Sequence, residues 1–203
     1  PEWGKYEGKK ITVMDLFEVR GQVLSGTIGE KEGAYLEKLC CASPGACAGM
    51  FTAMTMQCLI EALGMTLPYM ATAESMGEQR EKLAYDAGRK IIELLEKDLK
   101  PSDIMTEKAF KNAVTVDMAL GGSTNTVLHL KAVAEERGID LPLDLFDEIS
   151  KRTPHLVNMA PAGRIIIEEL HNAGGIPGVM KTLEDRLDTS LTTATGKTIK
   201  ENL

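Results

Sequence analysis

The segment Cys41-Ala42-Ser43-Pro44-Gly45-Ala46-Cys47-Ala48-Gly49-Met50 puts a cysteine just beyond a Gly/Pro turn and ahead of a long apolar run. Where such a run is a helix, its free N-terminal amides and the positive end of its dipole stabilise a thiolate, the form of cysteine that binds metal or attacks an electrophile. Cys47 is therefore a candidate ligand, expected in the first turn of that helix or just before it with its sulfur facing a cleft. The alternative is a packing role, since cysteine is among the most buried residue types. Cys58 lies in the middle of the apolar run and reads as core, while Cys40 and Cys41 stand between the two readings. The four cysteines fall in one short stretch without a C-x-x-C pair, which argues against a disulfide framework spread over the fold.

Ala119-Leu120-Gly121-Gly122-Ser123-Thr124-Asn125-Thr126 is a second candidate, with two glycines and three capping side chains between helical patterns. Free amides at such a helix start can hold a carboxylate or phosphate, but an ordinary elbow between helices uses the same residues. His129, His155 and His171 are far apart and lack the i, i+4 partners of a helical metal pair, so they read as satisfied or surface histidines. Thr195-Gly196-Lys197-Thr198 ends like a phosphate-binding loop, yet Leu191 stands where that motif needs its first glycine. Ala173 likewise replaces the first glycine of a dinucleotide fingerprint over Gly174-Gly175-Ile176-Pro177-Gly178, and both segments read as helix termini.

Helical spacing of apolar residues predicts helices over 12–24, 32–40 and 48–63, the last apolar on nearly every face and interrupted mainly by Gln57 and Glu61. Ser75-Met76-Gly77-Glu78 fits a capping box and starts a helix of about 24 residues that Pro101 would end, with Leu83, Ala87, Ile91, Leu94 and Leu95 as its inner stripe. Further helices are predicted over 106–120, 124–137, 144–152, 164–172 and 177–187. Strand candidates are few: 11–13, 155–159 and 191–194.

With 23 basic and 30 acidic side chains in 203 residues the net charge is −7, which excludes nucleic acid or an anionic membrane as the main partner. Aromatics are 4% and methionines number 11, so the core is expected to be aliphatic and helical. No stretch approaches the roughly 18 apolar residues of a membrane span, and Pro1-Glu2-Trp3-Gly4-Lys5 lacks the apolar run of a signal peptide, so a cytoplasmic protein is expected. Without repeats or Gly/Ser linkers, 1–203 reads as one unit, and the missing initiator methionine suggests a cut from a longer chain.

Several segments in register resemble the dihydroxy-acid dehydratase and phosphogluconate dehydratase family. They are Gly45-Ala46-Cys47-Ala48-Gly49-Met50-Phe51-Thr52-Ala53, Glu61-Ala62-Leu63-Gly64, Met118-Ala119-Leu120-Gly121-Gly122-Ser123-Thr124-Asn125, Arg152-Thr153-Pro154-His155-Leu156, Ala173-Gly174-Gly175-Ile176-Pro177 and Thr195-Gly196-Lys197-Thr198. Asp117-Met118-Ala119-Leu120 with Asn125-Thr126-Val127-Leu128-His129-Leu130, and the closing Thr195 to Leu203 segment, look closer to dihydroxy-acid dehydratases.

The resemblance implies an α/β fold of helices around a small parallel sheet, and a lyase that removes water from a 2,3-dihydroxy acid to give a 2-keto acid in branched-chain amino acid biosynthesis. It also implies an iron–sulfur cluster (2Fe-2S or 4Fe-4S), Mg²⁺, a small-molecule substrate and a homodimer as the full-length protein. Cys47 matches the family's third cluster cysteine, and it alone of the functional residues maps here. The Cys-Asp-Lys segment, the first cluster cysteine, a further Mg²⁺ carboxylate and the Thr-Asp-Gly-Arg segment near the serine base are absent, so the chain resembles an internal piece of the N-terminal domain. Met54 stands where asparagine is usual. The alternatives are a sugar-acid or phosphogluconate dehydratase and a non-catalytic helical module.

Overall fold

Helix-forming stripes dominate the sequence, and helices dominate the computed structural model, which describes residues 3–203; Pro1 and Glu2, the first residues of the segment searched for a signal peptide, lie outside it. Strands β1 (Gly4–Tyr6) and β2 (Lys9–Ile11) come first and pair antiparallel. Their turn residues Glu7 and Gly8 both sit at positive φ, 47° and 77°, which suits the strand twist of a two-residue hairpin. This hairpin is the only sheet among the described residues, where a parallel one was expected. Of the other strand candidates, Met159 makes one parallel bridge to Ile165 and Thr192 one antiparallel bridge to Thr198. Their neighbours bond to scattered partners, Leu156 N to Ala119 O (2.8 Å) and Ala194 N to Gly64 O (2.7 Å), so no ladder can extend.

Helix α1 (Val13–Leu24) begins at Thr12, whose hydroxyl accepts from Met14 N while Asp15 accepts from Thr12 N at 2.6 Å. It packs on α2 (Glu30–Cys40). The apolar run then departs from expectation, because α3 (Thr52–Ala62) starts at Thr52 and not at Ala48. Residues 48–50 are buried, yet their backbone bonds go across the fold: Met50 N donates to Ala160 O (2.6 Å) and Ile167 N to Ala48 O (2.7 Å). Gly49 permits that approach, since a Cβ there would lie 2.6 Å from Ala160 O.

Helix α4 (Glu78–Glu96) has 19 residues and is capped by Gly77 without a side-chain bond. The expected capping box does not form, because the Ser75 hydroxyl donates to Pro44 O instead. Pro101 does not end α4; it opens α5 (Pro101–Ile104), where its missing N–H costs nothing. Of the predicted stripe on α4 only Leu94 is buried, and Tyr85, Ile91, Ile92 and Leu95 are exposed. Next come α6 (Glu107–Leu120), closed by Gly121 at φ 60°, then α7 (Asn125–Glu136) and α8 (Leu143–Arg152). They are followed by α9 (Ile167–Asn172), α10 (Gly175–Thr182), a single 3₁₀ turn over Glu184–Arg186 and α11 (Ile199–Asn202). The helices expected at 106–120, 124–137 and 144–152 are thus present, while 164–172 forms three residues late and 177–187 divides at Leu183.

The core is built on α6, against which α3, α7, α8 and α10 pack. Phe110, Ala113, Val114, Val116, Ala119 and Leu120 are wholly buried there, so α6 surpasses α3 as the central helix. Its buried Asn112 pairs in both directions with the backbone of Asp188, each bond 3.0 Å, which satisfies a polar group that would otherwise oppose burial. No helix among the described residues is long and apolar enough to cross a membrane.

Candidate functional site

The turn at Ser43-Pro44-Gly45 leaves Cys47 exposed, but Cys47 is not among the residues that line the cleft beside it, where a cleft-facing sulfur was expected. Its residue is exposed and lies in a loop five positions before Thr52, the first residue of α3. It is therefore ahead of the helix and outside its first turn, because residues 48–50 spend their backbone groups on Ala160 and Ile167 as described. Cys41 is exposed too. Cys40 and Cys58 are buried, and burial pushes both thiols up, which disfavours their thiolate forms. Among the described residues no three His, Cys, Asp or Glu side chains are grouped to hold a metal ion. Of the four thiols only Cys41 and Cys47 are exposed, so the described residues offer single accessible thiols and do not make a whole metal site.

A cleft of about 330 Å³ adjoins the Cys47 loop at Ala46. It is lined by Met54 and Gln57 of α3, by Thr72, Ala73, Ser75, Gln79 and Arg80, and by Glu168 and His171 of α9. Thr72 and Ala73 of this lining belong to segment 69–73, which is held from several sides. Glu61 accepts from Tyr69 N and Ala71 N, each at 2.8 Å. Arg80 donates to Met70 O and Ala73 O, each at 2.6 Å. Thr72 Oγ1 bonds His171 Nδ1 at 2.8 Å, and the His171 ring meets Tyr69 edge-on. Burial pushes the Glu61 carboxyl up to about 7, against the two amides and the Arg80 charge that favour its ionised form. Sequence reading missed Glu61 and Arg80; an acidic residue on an otherwise apolar helix was the available signal for the first.

The glycine elbow after α6 joins two helix starts. Ser123 Oγ and Thr52 Oγ1 lie 3.1 Å apart, and Asn125 Nδ2 donates to Thr52 Oγ1 at 2.7 Å. Beneath it Asp117 is buried, accepting from Thr126 Oγ1 at 2.6 Å while its Oδ1 has no partner. A Cβ on Gly122 would lie 2.0 Å from that oxygen, so the second glycine serves close packing. Burial pushes the Asp117 carboxyl up to about 6, and the Thr126 bond offsets part of this. A carboxyl whose folded pKa is raised stabilises the fold below its unfolded value and loses that contribution as pH rises through its folded value. Urea unfolding is therefore expected to show about 2 kcal/mol less stability at pH 7.5 than at pH 4.5 from this group. In Asp117→Asn that difference should vanish, and an unchanged pH slope in the variant would refute the assignment.

His129 and His155 are exposed and His171 is satisfied by Thr72, as expected. The phosphate-loop lookalike is a turn at Gly196 leading to Thr198, the cap of α11, and Gly174 caps α10.

Residues 3–202 match the family described as dihydroxy-acid/6-phosphogluconate dehydratase N-terminal. A dihydroxy-acid dehydratase of Methanobrevibacter smithii is 51% identical over 201 residues, 98% of this chain and 37% of that protein. One of Methanothermobacter thermautotrophicus is 46% identical over 201 residues, and one of Halothermothrix orenii 50% over 202, again 98% of this chain and 37% of theirs. The chain thus spans little more than a third of the length of these relatives.

Proposed function

Since the chain belongs to the dihydroxy-acid/6-phosphogluconate dehydratase N-terminal family, we propose that it forms the N-terminal part of a dihydroxy-acid dehydratase. This is a hydro-lyase that converts a 2,3-dihydroxy acid to a 2-keto acid in branched-chain amino acid biosynthesis. The observation that carries this reading is identity near 50% to proteins of that name across almost the whole chain. In this reading residues 1–203 are part of a cluster-bearing domain, and the exposed Cys47 supplies one thiolate to an iron–sulfur cluster. When bound, such a cluster supplies Lewis-acid assistance to a leaving hydroxyl. The other thiolates, the Mg²⁺ carboxylates and the proton-abstracting base come from outside these residues. The chain's own contribution is to present Cys47 on a loop beside a cleft and to line that cleft with residues 72–75. A cytoplasmic homodimer is part of the same proposal.

The reading is tested on the intact protein, reconstituted anaerobically with iron, sulfide and Mg²⁺ and assayed for keto acid. Turnover of 2,3-dihydroxyisovalerate in preference to 6-phosphogluconate is expected. The reverse preference would move the protein to the family's other activity, and no turnover of either would leave a non-catalytic module.

A further inference from the structure

The hydrogen bonds around segment 69–75 continue from the core of α3 to the Cys47 loop. Glu61, only 7% exposed, takes two amides of the segment, and Arg80 binds two of its carbonyls. Between these anchors Tyr69 is held at φ 68°, a left-handed conformation that a tyrosine rarely adopts and that needs support from its surroundings. Two residues beyond Ala73, the Ser75 hydroxyl donates to Pro44 O, three residues before Cys47. The other side of the loop is pinned by Met50 N to Ala160 O. The loop between Pro44 and Met50 is thus tied at both ends, and one tie runs through Ser75 to Glu61 and Arg80.

We propose that Glu61, Arg80 and Ser75 are positioning residues for the Cys47 loop, setting where its thiol stands relative to the adjoining cleft. The function added to these residues rests on the reading of Cys47 as a cluster ligand. Groups behind a metal ligand commonly alter metal affinity by about 10–100-fold without touching the metal. Here the effect passes through backbone, from carboxylate and guanidinium to segment to hydroxyl to loop.

The test uses the intact protein with Glu61→Gln and, because a core change can prevent folding, the surface change Ser75→Ala. Amide hydrogen exchange is read by peptide mapping over 43–49 and 69–73, and the decay of the cluster's visible absorbance is read under a chelator. Glu61→Gln is expected to speed exchange in both peptides. Ser75→Ala is expected to speed it over 43–49 alone, and both are expected to accelerate cluster loss about tenfold. The double variant should lose its cluster no faster than the quicker single variant, since both act through one tie. If either single variant leaves 43–49 unchanged, the positioning role is overturned. If exchange over 43–49 rises while cluster loss keeps its rate, positioning stands and the reading of Cys47 as a ligand falls.

Discussion

Cys47→Ser in the intact protein is expected to abolish turnover of 2,3-dihydroxyisovalerate, to below about 1% of the unaltered enzyme, and to weaken the visible absorbance of the reconstituted cluster. A thiolate replaced by a neutral hydroxyl removes a charged ligand, and losing a Lewis acid worth several kcal/mol slows the chemistry by two or more powers of ten. The same change should leave the fold alone. Cys47 is exposed and lies outside the apolar core, so its unfolding free energy should move by no more than about 0.5 kcal/mol. The combination separates a ligand from a packing residue, because a packing cysteine would show the opposite pattern of lost stability with activity retained. The 203 residues alone are expected to hold no stable cluster and to produce no keto acid, since one thiolate of a set retains little of the binding free energy. Full activity in Cys47→Ser, or keto acid from the isolated chain, would show the site to be misassigned.

Phe110→Ala is expected to cost about 3–5 kcal/mol, the range for removing a large side chain from a core that cannot collapse around the space. Phe110 has no exposed surface and sits on α6, which α3, α7, α8 and α10 surround, so the cavity would be walled by four rigid neighbours. Against a total stability of about 5–15 kcal/mol this approaches unfolding, and the melting temperature should fall by roughly 6–20 °C. Ile92→Ala on α4 is the control. Ile92 is 56% exposed, and its loss should fall within about 0.5 kcal/mol. Equal losses at the two positions, measured by urea or thermal unfolding, would contradict α6 as the centre of the core.

Residue types and spacing were enough for the helices whose ends carry local chemistry. Thr12 and Asp15, Thr106, Gly121 and Gly138 mark termini by groups that bond within a few residues of themselves, so α1, α6 and α7 are legible in the linear chain. The matched motifs likewise carried the family and singled out Cys47. What stayed illegible are features whose partners lie far along the chain. Ala48 to Met50 has the composition of a helix, but its backbone is claimed by Ala160 and Ile167 more than a hundred residues away. Ser75 has the spacing of a cap, but Pro44 receives its hydroxyl. Glu61 interrupts an apolar helix for the sake of two amides beyond the following turn, and Gly122 is glycine because Asp117 is buried beneath it. A local bond is encoded by adjacent residues, whereas competition for a backbone group or a buried carboxylate is settled only when the packed helices bring distant segments within hydrogen-bonding distance.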